Sequence, residues 1–269
     1  MSVRRLDRAA GRVALVTGGS GGIGEALAAE LARRGMALAL LARRKDALEA
    51  SAARLHAAGA RVSTHACDVR DASSLEAAIG AAAAEHGRLD LVAACAGIGR
   101  HVAFAEHDAA SIDALLATNV TGHLHTLRFA IPHLRREGGW IVSVSSVAGR
   151  LGQPGEAVYS ASKFAVTGLS EALTIELAPL GIHVLTVYPG FVRTGFVPEE
   201  DLWRVPERAL RTAVEPDAVA RAIVRALERG RHEVTIPRIA AGGYVVRTLA
   251  PALFRRILAR VRGGSASQG

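Results

Sequence analysis

A cluster of glycines directly behind the first apolar run constrains the fold of this chain more than any other feature. Residues 12–17 are β-rich and apolar, and Gly18, Gly22 and Gly24 follow them as a helical pattern begins at Ile23. Glycine allows a tight turn and a close approach of backbone to ligand, and a helix N-terminus presents free amide groups. A strand, a glycine-rich turn and a helix in this order predict a binding site for a dinucleotide pyrophosphate.

Strand and helix patterns alternate along the rest of the chain. Six further β-rich apolar runs occupy residues 36–41, 61–66, 89–95, 140–144, 182–188 and 233–236. Helical patterns separate them at residues 23–35, 46–58, 71–86, 108–135, 159–178 and from 215 onward. Strict alternation predicts an α/β fold with one doubly wound domain over residues 1–240, built on a mainly seven-stranded parallel sheet. Residues 241–269 are expected to form a basic, partly helical C-terminal extension that ends in a flexible tail.

Composition excludes several classes of protein. The residues are 50% hydrophobic and 4% aromatic, so the core must consist mainly of aliphatic side chains, which suits a parallel sheet covered by helices. Two cysteines, Cys67 and Cys95, give no disulfide framework, and the histidine spacing gives no metal site, so a cytoplasmic protein is expected. No run is long enough for a membrane span, and no secretion signal is expected. The net charge of +8 comes from arginines spread along the whole chain, so we expect no nucleic-acid partner.

An arginine pair at the end of the second strand indicates which dinucleotide is bound. Sites for NAD place an acidic residue about 20 residues beyond the glycines, where it bonds the ribose 2′-hydroxyl. This chain has Arg43 and Arg44 at that distance from Gly24, and no acidic residue lies between Glu30 and Asp46. Guanidinium groups can bind a 2′-phosphate, so NADP(H) is favoured over NAD(H). The alternative is that both arginines are solvated residues at the start of a helix.

A tyrosine and a lysine four residues apart form the clearest candidate for chemistry. Tyr159 and Lys163 lie on one face of a predicted helix, so phenol and ammonium can reach the same ligand. Lys163 and Lys45 are the only lysines in the chain, and an arginine cannot readily replace a compact ammonium beside a proton donor. Ser146 follows the fifth strand, where its hydroxyl can bond a substrate oxygen. The alternative is a tyrosine packed in the core and a solvated lysine.

Several elements of the sequence occur together in an order that is known from one enzyme family. They are T-G-G-S-G-G-I-G at residues 17–24, Asn119, Ser146, Tyr159-x-x-x-Lys163 and Pro189-Gly190. With them, about residues 12–236 resemble a short-chain dehydrogenase/reductase of the compact single-domain branch. The resemblance implies a seven-stranded Rossmann sheet and hydride transfer between a nicotinamide and a carbonyl or secondary alcohol, with Tyr159 as general acid/base.

The resemblance also assigns roles to further residues. It places Asp68 at the adenine and Thr194 near the carboxamide, and it gives Asn119 a water that relays protons from Lys163 to solvent. Contacts to the cofactor are expected from Gly18, Ser20, Gly22, Ile23, Gly24, Arg43, Arg44, Asp68, Val69, Gly97, Tyr159, Lys163, Pro189, Gly190, Val192 and Thr194. Taken alone, Asn119 can be a helix-kink amide, Ser146 a turn hydroxyl and Asp68 a turn cap.

The pKa of Tyr159 limits how the pair can work. A free tyrosine has a pKa of about 10, roughly three units above neutrality. One nearby cation shifts a pKa by about 1 to 3 units. We therefore expect Lys163 to lower the pKa of Tyr159, and the positive charge of an oxidised nicotinamide to complete the shift.

The chain departs from the family after the fourth strand. The family often has Asn-Asn-Ala-Gly there, whereas this chain has Ala94-Cys95-Ala96-Gly97. The side-chain amide bonds that tie this strand to its neighbours are expected to be lost, with a modest cost in local order and no loss of chemistry.

Two segments do not fit the simple alternation. Residues 191–212 form a long connection of the kind that is often a lid, and its apolar Phe191 and Phe196 are predicted to bind a hydrophobic substrate together with Ser146 and Tyr159. The C-terminal extension places one group of apolar residues on one arc of a helical wheel, with arginines mostly outside it: Val246, Leu253, Phe254, Ile257, Leu258 and Val261. This arc can lie on an anionic membrane surface, pack against another subunit of a homo-oligomer, or cover the protein's own core.

Two other classes of function fit parts of the sequence. A non-catalytic dinucleotide sensor would use the same fold, but it has no need for the proton donors Ser146 and Tyr159. A sugar-nucleotide epimerase usually has a longer chain with a separate substrate lobe. An NADP(H)-dependent carbonyl reductase or alcohol dehydrogenase accounts for every motif.

Overall fold

Seven parallel strands form one sheet in the order β3-β2-β1-β4-β5-β6-β7. The structure is a computed structural model that describes residues 5–6, 9–134, 138–197, 199–205 and 207–263. The strands are β1 Val13–Thr17, β2 Ala37–Ala42, β3 Val62–Ala66, β4 Leu91–Ala94, β5 Gly139–Val144, β6 Ile182–Pro189 and β7 Glu233–Ile236. The predicted doubly wound α/β class is confirmed.

Helices cover both faces of the sheet. They are α1 Gly22–Ala32, α2 Lys45–Ala57, α3 Ala72–His86, α4 Ala109–Leu116, α5 Gly122–Leu134, α6 Ala157–Glu176, α7 Glu207–Arg211, α8 Pro216–Glu228, α9 Ala241–Leu249 and α10 Pro251–Gly263. One core cluster holds Leu27 of α1, Leu48 of α2 and Ile223 of α8. The other holds Leu75 of α3 and Leu127 of α5. Strands that are buried on both faces explain the continuous apolar runs in the sequence.

The strand order reverses beside β1. Thr17 at the end of β1 pairs with Leu41 of β2 on one side and with Ala94 of β4 on the other. The connection after β1 therefore runs towards β2, and the connection after β4 runs the other way, towards β5. A crevice opens between these two connections at the carboxyl ends of the strands. In open α/β sheets this is where ligands bind.

The helix predicted over residues 108–135 is interrupted. A π-helical turn, Ala117–Thr121, separates α4 from α5. It carries Asn119, whose Nδ2 donates to the Ile98 carbonyl at 2.9 Å and whose Oδ1 accepts from the Ile98 amide at 2.8 Å. The side chain thus pairs with the loop after β4, and such π-turns often mark functional sites. Position 135 lies outside the described residues.

The two irregular segments both contain helical structure. Within residues 191–212, a short helical turn Glu199–Arg204 precedes α7, while positions 198 and 206 lie outside the described residues. The C-terminal extension contains α9 and α10, the second of which starts at Pro251. Among the described residues, no helix is both long and apolar enough to cross a membrane.

A buried carboxylate joins β1 and β4 at the amino ends of the strands. Asp90 is 2% exposed, and it accepts from the Val13 amide at 2.9 Å and from Arg88 Nη2 at 2.6 Å. Burial opposes its ionisation, but the hydrogen bonds from Arg88 and Val13 and the charges of Arg88 and Arg12 outweigh it, so the pKa of Asp90 lies below its ordinary value.

Replacement of Asp90 should destabilise the protein. We expect Asp90→Ala to lower the free energy of unfolding by about 2–3 kcal/mol, because the buried Val13 amide loses its acceptor. Asp90→Asn keeps an acceptor and should lose less. A carboxylate with a lowered folded-state pKa stabilises above its unfolded-state pKa and stops doing so as pH falls through the folded-state value. Urea denaturation over an acidic pH series should therefore show a steeper loss in the wild type than in Asp90→Asn; parallel curves would contradict this.

Candidate active site

A cavity of about 830 Å³ lies at the carboxyl ends of the strands. Loops from both halves of the sheet line it, together with the start of α1, part of α6 and the two C-terminal helices. Every site residue predicted from the sequence lines this cavity except Asp68 and Asn119. The sequence motifs therefore converge on one place.

Two glycines of the glycine-rich turn are packed too closely for a side chain. Gly18 has a φ of 69°, and a Cβ there would lie 3.0 Å from the Ala96 amide nitrogen. A Cβ at Gly24 would lie 2.4 Å from the Gly18 carbonyl oxygen. The turn therefore presents bare backbone to the cavity, next to the N-terminus of α1. A pyrophosphate, which needs close amide donors and gains from the helix dipole, fits this cradle.

Thr17 makes hydrogen bonds to the loop after β4, where the sequence Ala94-Cys95-Ala96-Gly97 was expected to leave this loop less well held. Its Oγ1 accepts from the amides of Cys95 at 3.2 Å and Ala96 at 3.3 Å, and its hydroxyl donates to the Ala93 carbonyl at 3.4 Å. Side-chain amides are absent from the loop after β4, but the hydroxyl on β1 holds its backbone. The expected loss of order is therefore offset at these two amides.

Arg43 and Arg44 line the cavity beyond the end of β2. Asp68 lies nearby, but its carboxylate is held by Arg70, whose Nη2 donates to Oδ2 at 2.6 Å. Its Oδ1 also accepts from the Arg70 amide at 3.0 Å, so Asp68 caps the turn after β3. Hydrogen bonds from Arg70 and then the charges of Arg70 and Arg43 lower its pKa, against the effect of burial. Arg70 and Arg43 thus compensate the charge of Asp68.

Ser146, Tyr159 and Lys163 meet in the middle of the cavity. The hydroxyl of Ser146 donates to the Pro189 carbonyl at 3.4 Å and accepts from the Ala148 amide at 3.1 Å. Lys163 is 5% exposed, and its Nζ donates to the Val144 carbonyl at 3.0 Å. Burial lowers its pKa to about 8. A solvated lysine, the alternative that the sequence left open, is excluded.

The pKa of Tyr159 differs from the sequence-based expectation. Burial and the negative charge of Glu156 raise it above its ordinary value, and the nearby hydroxyl of Ser146 offsets only part of this rise. Lys163 was expected to lower this pKa, but its Nζ is directed at the Val144 carbonyl and lies 5.7 Å from the centroid of the tyrosine ring. The protein groups by themselves therefore keep the phenol protonated at neutral pH.

Asn119 stands behind the cavity rather than in its wall. It is 0% exposed, and its Nδ2 also donates to Ser162 Oγ at 3.1 Å. Ser162 in turn donates to the Tyr159 carbonyl at 2.7 Å. The asparagine side chain therefore joins the loop after β4 to the helix that carries Tyr159. Its predicted part in a proton relay through water remains a prediction.

A histidine and a glutamate that the sequence did not single out also line the cavity. Nε2 of His101 lies against Oε1 of Glu156, and the two side chains are 12% and 16% exposed. Glu156 lies just before α6, three residues ahead of Tyr159. Only that spacing could have pointed to Glu156, and nothing in the sequence points to His101, because its loop reaches the site through the fold.

The predicted lid contacts the catalytic residues. The rings of Phe196 and Tyr159 lie edge to face with centroids 5.9 Å apart. A Cβ at Gly99 would lie 2.3 Å from Phe196 Cε1, so Phe196 seats directly on the loop after β4. Phe191 lines the same cavity. The described residues contain no cluster of side chains suited to a metal, and Cys67 and Cys95 are both free thiols.

Comparison with known proteins agrees with this geometry. The family model described as short chain dehydrogenase matches residues 12–204. Glycine betaine reductase of Emericella nidulans is 38% identical over 227 residues, a match that covers 82% of this chain but 18% of that protein. An uncharacterized oxidoreductase of Myxococcus xanthus is 34% identical over 253 residues, covering 93% of this chain and 98% of the relative.

Solved structures share the whole fold. A short chain dehydrogenase/reductase from Burkholderia phymatum in complex with NAD superposes with a TM-score of 0.84 at 28% identity, covering 91% of this chain and 96% of that one. An alcohol dehydrogenase from Thermococcus sibiricus complexed with 5-hydroxy-NADP gives a TM-score of 0.75 at 30% identity, covering 84% and 95%. The chain belongs to the short chain dehydrogenase family of oxidoreductases.

Proposed function

We propose that this protein is an NADP(H)-dependent oxidoreductase that interconverts a carbonyl compound and the corresponding secondary alcohol, with Tyr159 as general acid/base. The observation that carries the proposal is the convergence of Ser146, Tyr159 and Lys163 on the cavity that also contains the glycine-rich turn. A nicotinamide cofactor, when bound, supplies or accepts the hydride, and the protein must position the substrate and move one proton.

The residues that would hold the cofactor follow from the cradle. The glycine-rich turn and the N-terminus of α1 suit the pyrophosphate, and Gly97, Gly190 and Thr194 line the same cavity at the ends of β4 and β6. Lys163 is buried between the loop after β4 and β5, where an ammonium can bond a ribose hydroxyl as well as the Val144 carbonyl. These roles rest on the fit of the residues to the group.

The preference for NADP(H) rests on charge. Arg43 and Arg44 line the cavity at the end of β2, and Arg70 binds the carboxylate of Asp68, the nearby acid. A 2′-phosphate at this position would lie near the guanidinium groups of Arg43 and Arg44, and Arg70 would offset the repulsion by the Asp68 carboxylate. Planar guanidinium groups bind phosphate well. Related structures contain either NAD or an NADP derivative, so the arginines of this chain are the deciding feature.

Tyr159 transfers the proton in this mechanism. Its phenol and the hydroxyl of Ser146 line the same cavity, where one substrate oxygen can accept from both. In reduction, Tyr159 donates its proton to that oxygen as the carbonyl becomes an alcohol. In oxidation, the phenolate takes the proton back. The raised pKa of Tyr159 suits the first of these directions at neutral pH, because the acid is present in its protonated form.

A hydrophobic substrate fits the surroundings of the acid. Phe191 and Phe196 line the cavity, the ring of Phe196 packs against that of Tyr159, and residues 191–212 would act as a lid over the site. In this proposal residues 1–240 form the catalytic domain and residues 241–269 an appended segment. That segment carries the exposed apolar side chains Val245, Leu249 and Leu253. Their contact with a membrane surface or with a second subunit remains a prediction.

Removal of the phenol hydroxyl tests the mechanism. We expect Tyr159→Phe to reduce turnover of a reactive diketone with NADPH by about 10²–10⁴-fold, the usual contribution of a general acid. Binding of NADPH, measured by its fluorescence, should be nearly unchanged. Tyr244→Phe, which removes a phenol outside the cavity lining, should keep most of the turnover. Wild-type rates in Tyr159→Phe would rule out the proposed acid.

Removal of a guanidinium tests the cofactor. Arg43→Ala should raise the KM for NADPH by about 10-fold or more, since a hydrogen bond between charged groups is lost, and should leave the KM for NADH almost unchanged. The matched control is Lys45→Ala, because Lys45 is 73% exposed and paired with Glu49. Equal use of both cofactors by the wild type and by Arg43→Ala would refute the NADP(H) preference.

Removal of the charge on Glu156 tests the electrostatics. The negative charge raises the pKa of Tyr159, so Glu156→Gln should lower that pKa. In alcohol oxidation, which needs the phenolate, the rising limb of the pH profile should therefore move to lower pH. Glu171→Gln serves as a control on the exposed face of α6, the helix that follows Glu156. A shift to higher pH, or an equal shift in both variants, would contradict the assignment.

A further inference from the structure

The end of the chain forms part of the wall of the active-site cavity. Val246 of α9 and Phe254, Ile257 and Leu258 of α10 line it. The apolar arc seen in the sequence is therefore divided, because Leu253 is 51% exposed while its neighbour Phe254 faces the cavity. The side chain of Val261 lies outside the described part of the chain.

An arginine clamp fixes this wall to the catalytic loop. Arg150 follows Ser146 by four residues, and its backbone carbonyl accepts a hydrogen bond from Arg247 of α9. Its guanidinium lies 4.2 Å from the ring centroid of Tyr188 and 5.2 Å from that of Tyr244, also on α9. Cation–π contacts of this kind hold a helix without apolar burial. Arg150 thus joins the segment between Ser146 and Tyr159 to α9, against which α10 packs.

Close backbone packing supports the same contact. A Cβ at Gly243, in α9, would lie 2.9 Å from Leu151 Cδ1. Arg247 also lies over the ring of Phe164 on α6, with 5.1 Å between guanidinium carbon and ring centroid. Helix α9 therefore rests on both the loop and the helix that carry the catalytic side chains.

The chemistry of this wall differs from that of the catalytic end. The side chains that α9 and α10 give to the cavity are aliphatic or aromatic, while Arg247, Arg255 and Arg256 of the same helices are absent from the lining. The hydrogen-bonding groups of the site, Ser146 and Tyr159, belong to other elements. A substrate with one polar, reacting end and one long apolar end would match both.

We propose that α9 and α10 form an apolar subsite that binds the alkyl chain of a ketone, or of its secondary alcohol, and thereby selects substrates by chain length. This inference rests on the proposed function, whose substrate class it specifies. Binding of the chain orders the reacting carbonyl at Ser146 and Tyr159, because the clamp at Arg150 holds the subsite to the catalytic loop.

Two pairs of neighbouring residues provide the test on the full-length protein. Phe254→Ala opens the subsite and Val246→Phe fills it, whereas Leu253→Ala and Val245→Phe make the same kinds of change at exposed positions. Methyl heptyl ketone and methyl ethyl ketone serve as long and short substrates. The ratio of their kcat/KM values with NADPH should favour the long ketone in the wild type. It should fall about 10-fold in the two cavity variants and stay unchanged in the two controls.

A binding measurement separates the subsite from the chemistry. In titration calorimetry, methyl heptyl ketone should bind more weakly to Phe254→Ala and Val246→Phe than to Leu253→Ala and Val245→Phe. Turnover of both ketones without a preference for the long one, or equal effects in cavity and control variants, would overturn the subsite alone. Loss in binding confined to the cavity variants, with neither ketone reduced by the wild type, would support the subsite and refute the proposed reaction.

Discussion

The parallel pairing of β1 with β2 on one side and β4 on the other is the constraint on which the rest of the structure depends. It brings the carboxyl ends of strands from both halves of the chain to one edge of the sheet. The glycine-rich turn, the loop after β4 and the loop after β5 meet only because of this order. Thr17 makes the contact specific, since its hydroxyl holds the backbone that follows β4. A chain with the same motifs on another topology would not bring them together.

Burial governs the electrostatics of the site more than pairs of charges do. Lys163 lines the cavity with its ammonium bonded to a backbone carbonyl, and burial lowers its pKa to about 8. Tyr159 is held in its protonated form by burial and by Glu156. A neighbour four residues away on a helix is close, but the direction of its charged atom decides how strongly it acts. The sequence shows the spacing of the two residues and does not show that direction.

The apolar arc of the C-terminal segment lies in two different environments. Its apolar arc predicts one face, whereas the structure divides that face between the cavity, where Phe254 lies, and solvent, where Leu253 lies. Arg150 holds the preceding helix in place, because its carbonyl and guanidinium fix α9 beside the catalytic loop. An arginine in a loop gives no sequence signal for such a contact with a helix almost a hundred residues later.

The sequence by itself determined the fold class and most of the candidate site. Alternating apolar runs and helical patterns are local properties, and a doubly wound parallel sheet is the arrangement that buries them, so Gly18, Ser146, Tyr159 and Lys163 could be placed at its carboxyl edge. The tertiary structure alone decided the break at Asn119, the bond between Asp68 and Arg70, the contact of His101 with Glu156 and the position of the C-terminal helices. Each of these depends on the distance and orientation of groups brought together by folding, and neither quantity is contained in the spacing of residues along a chain.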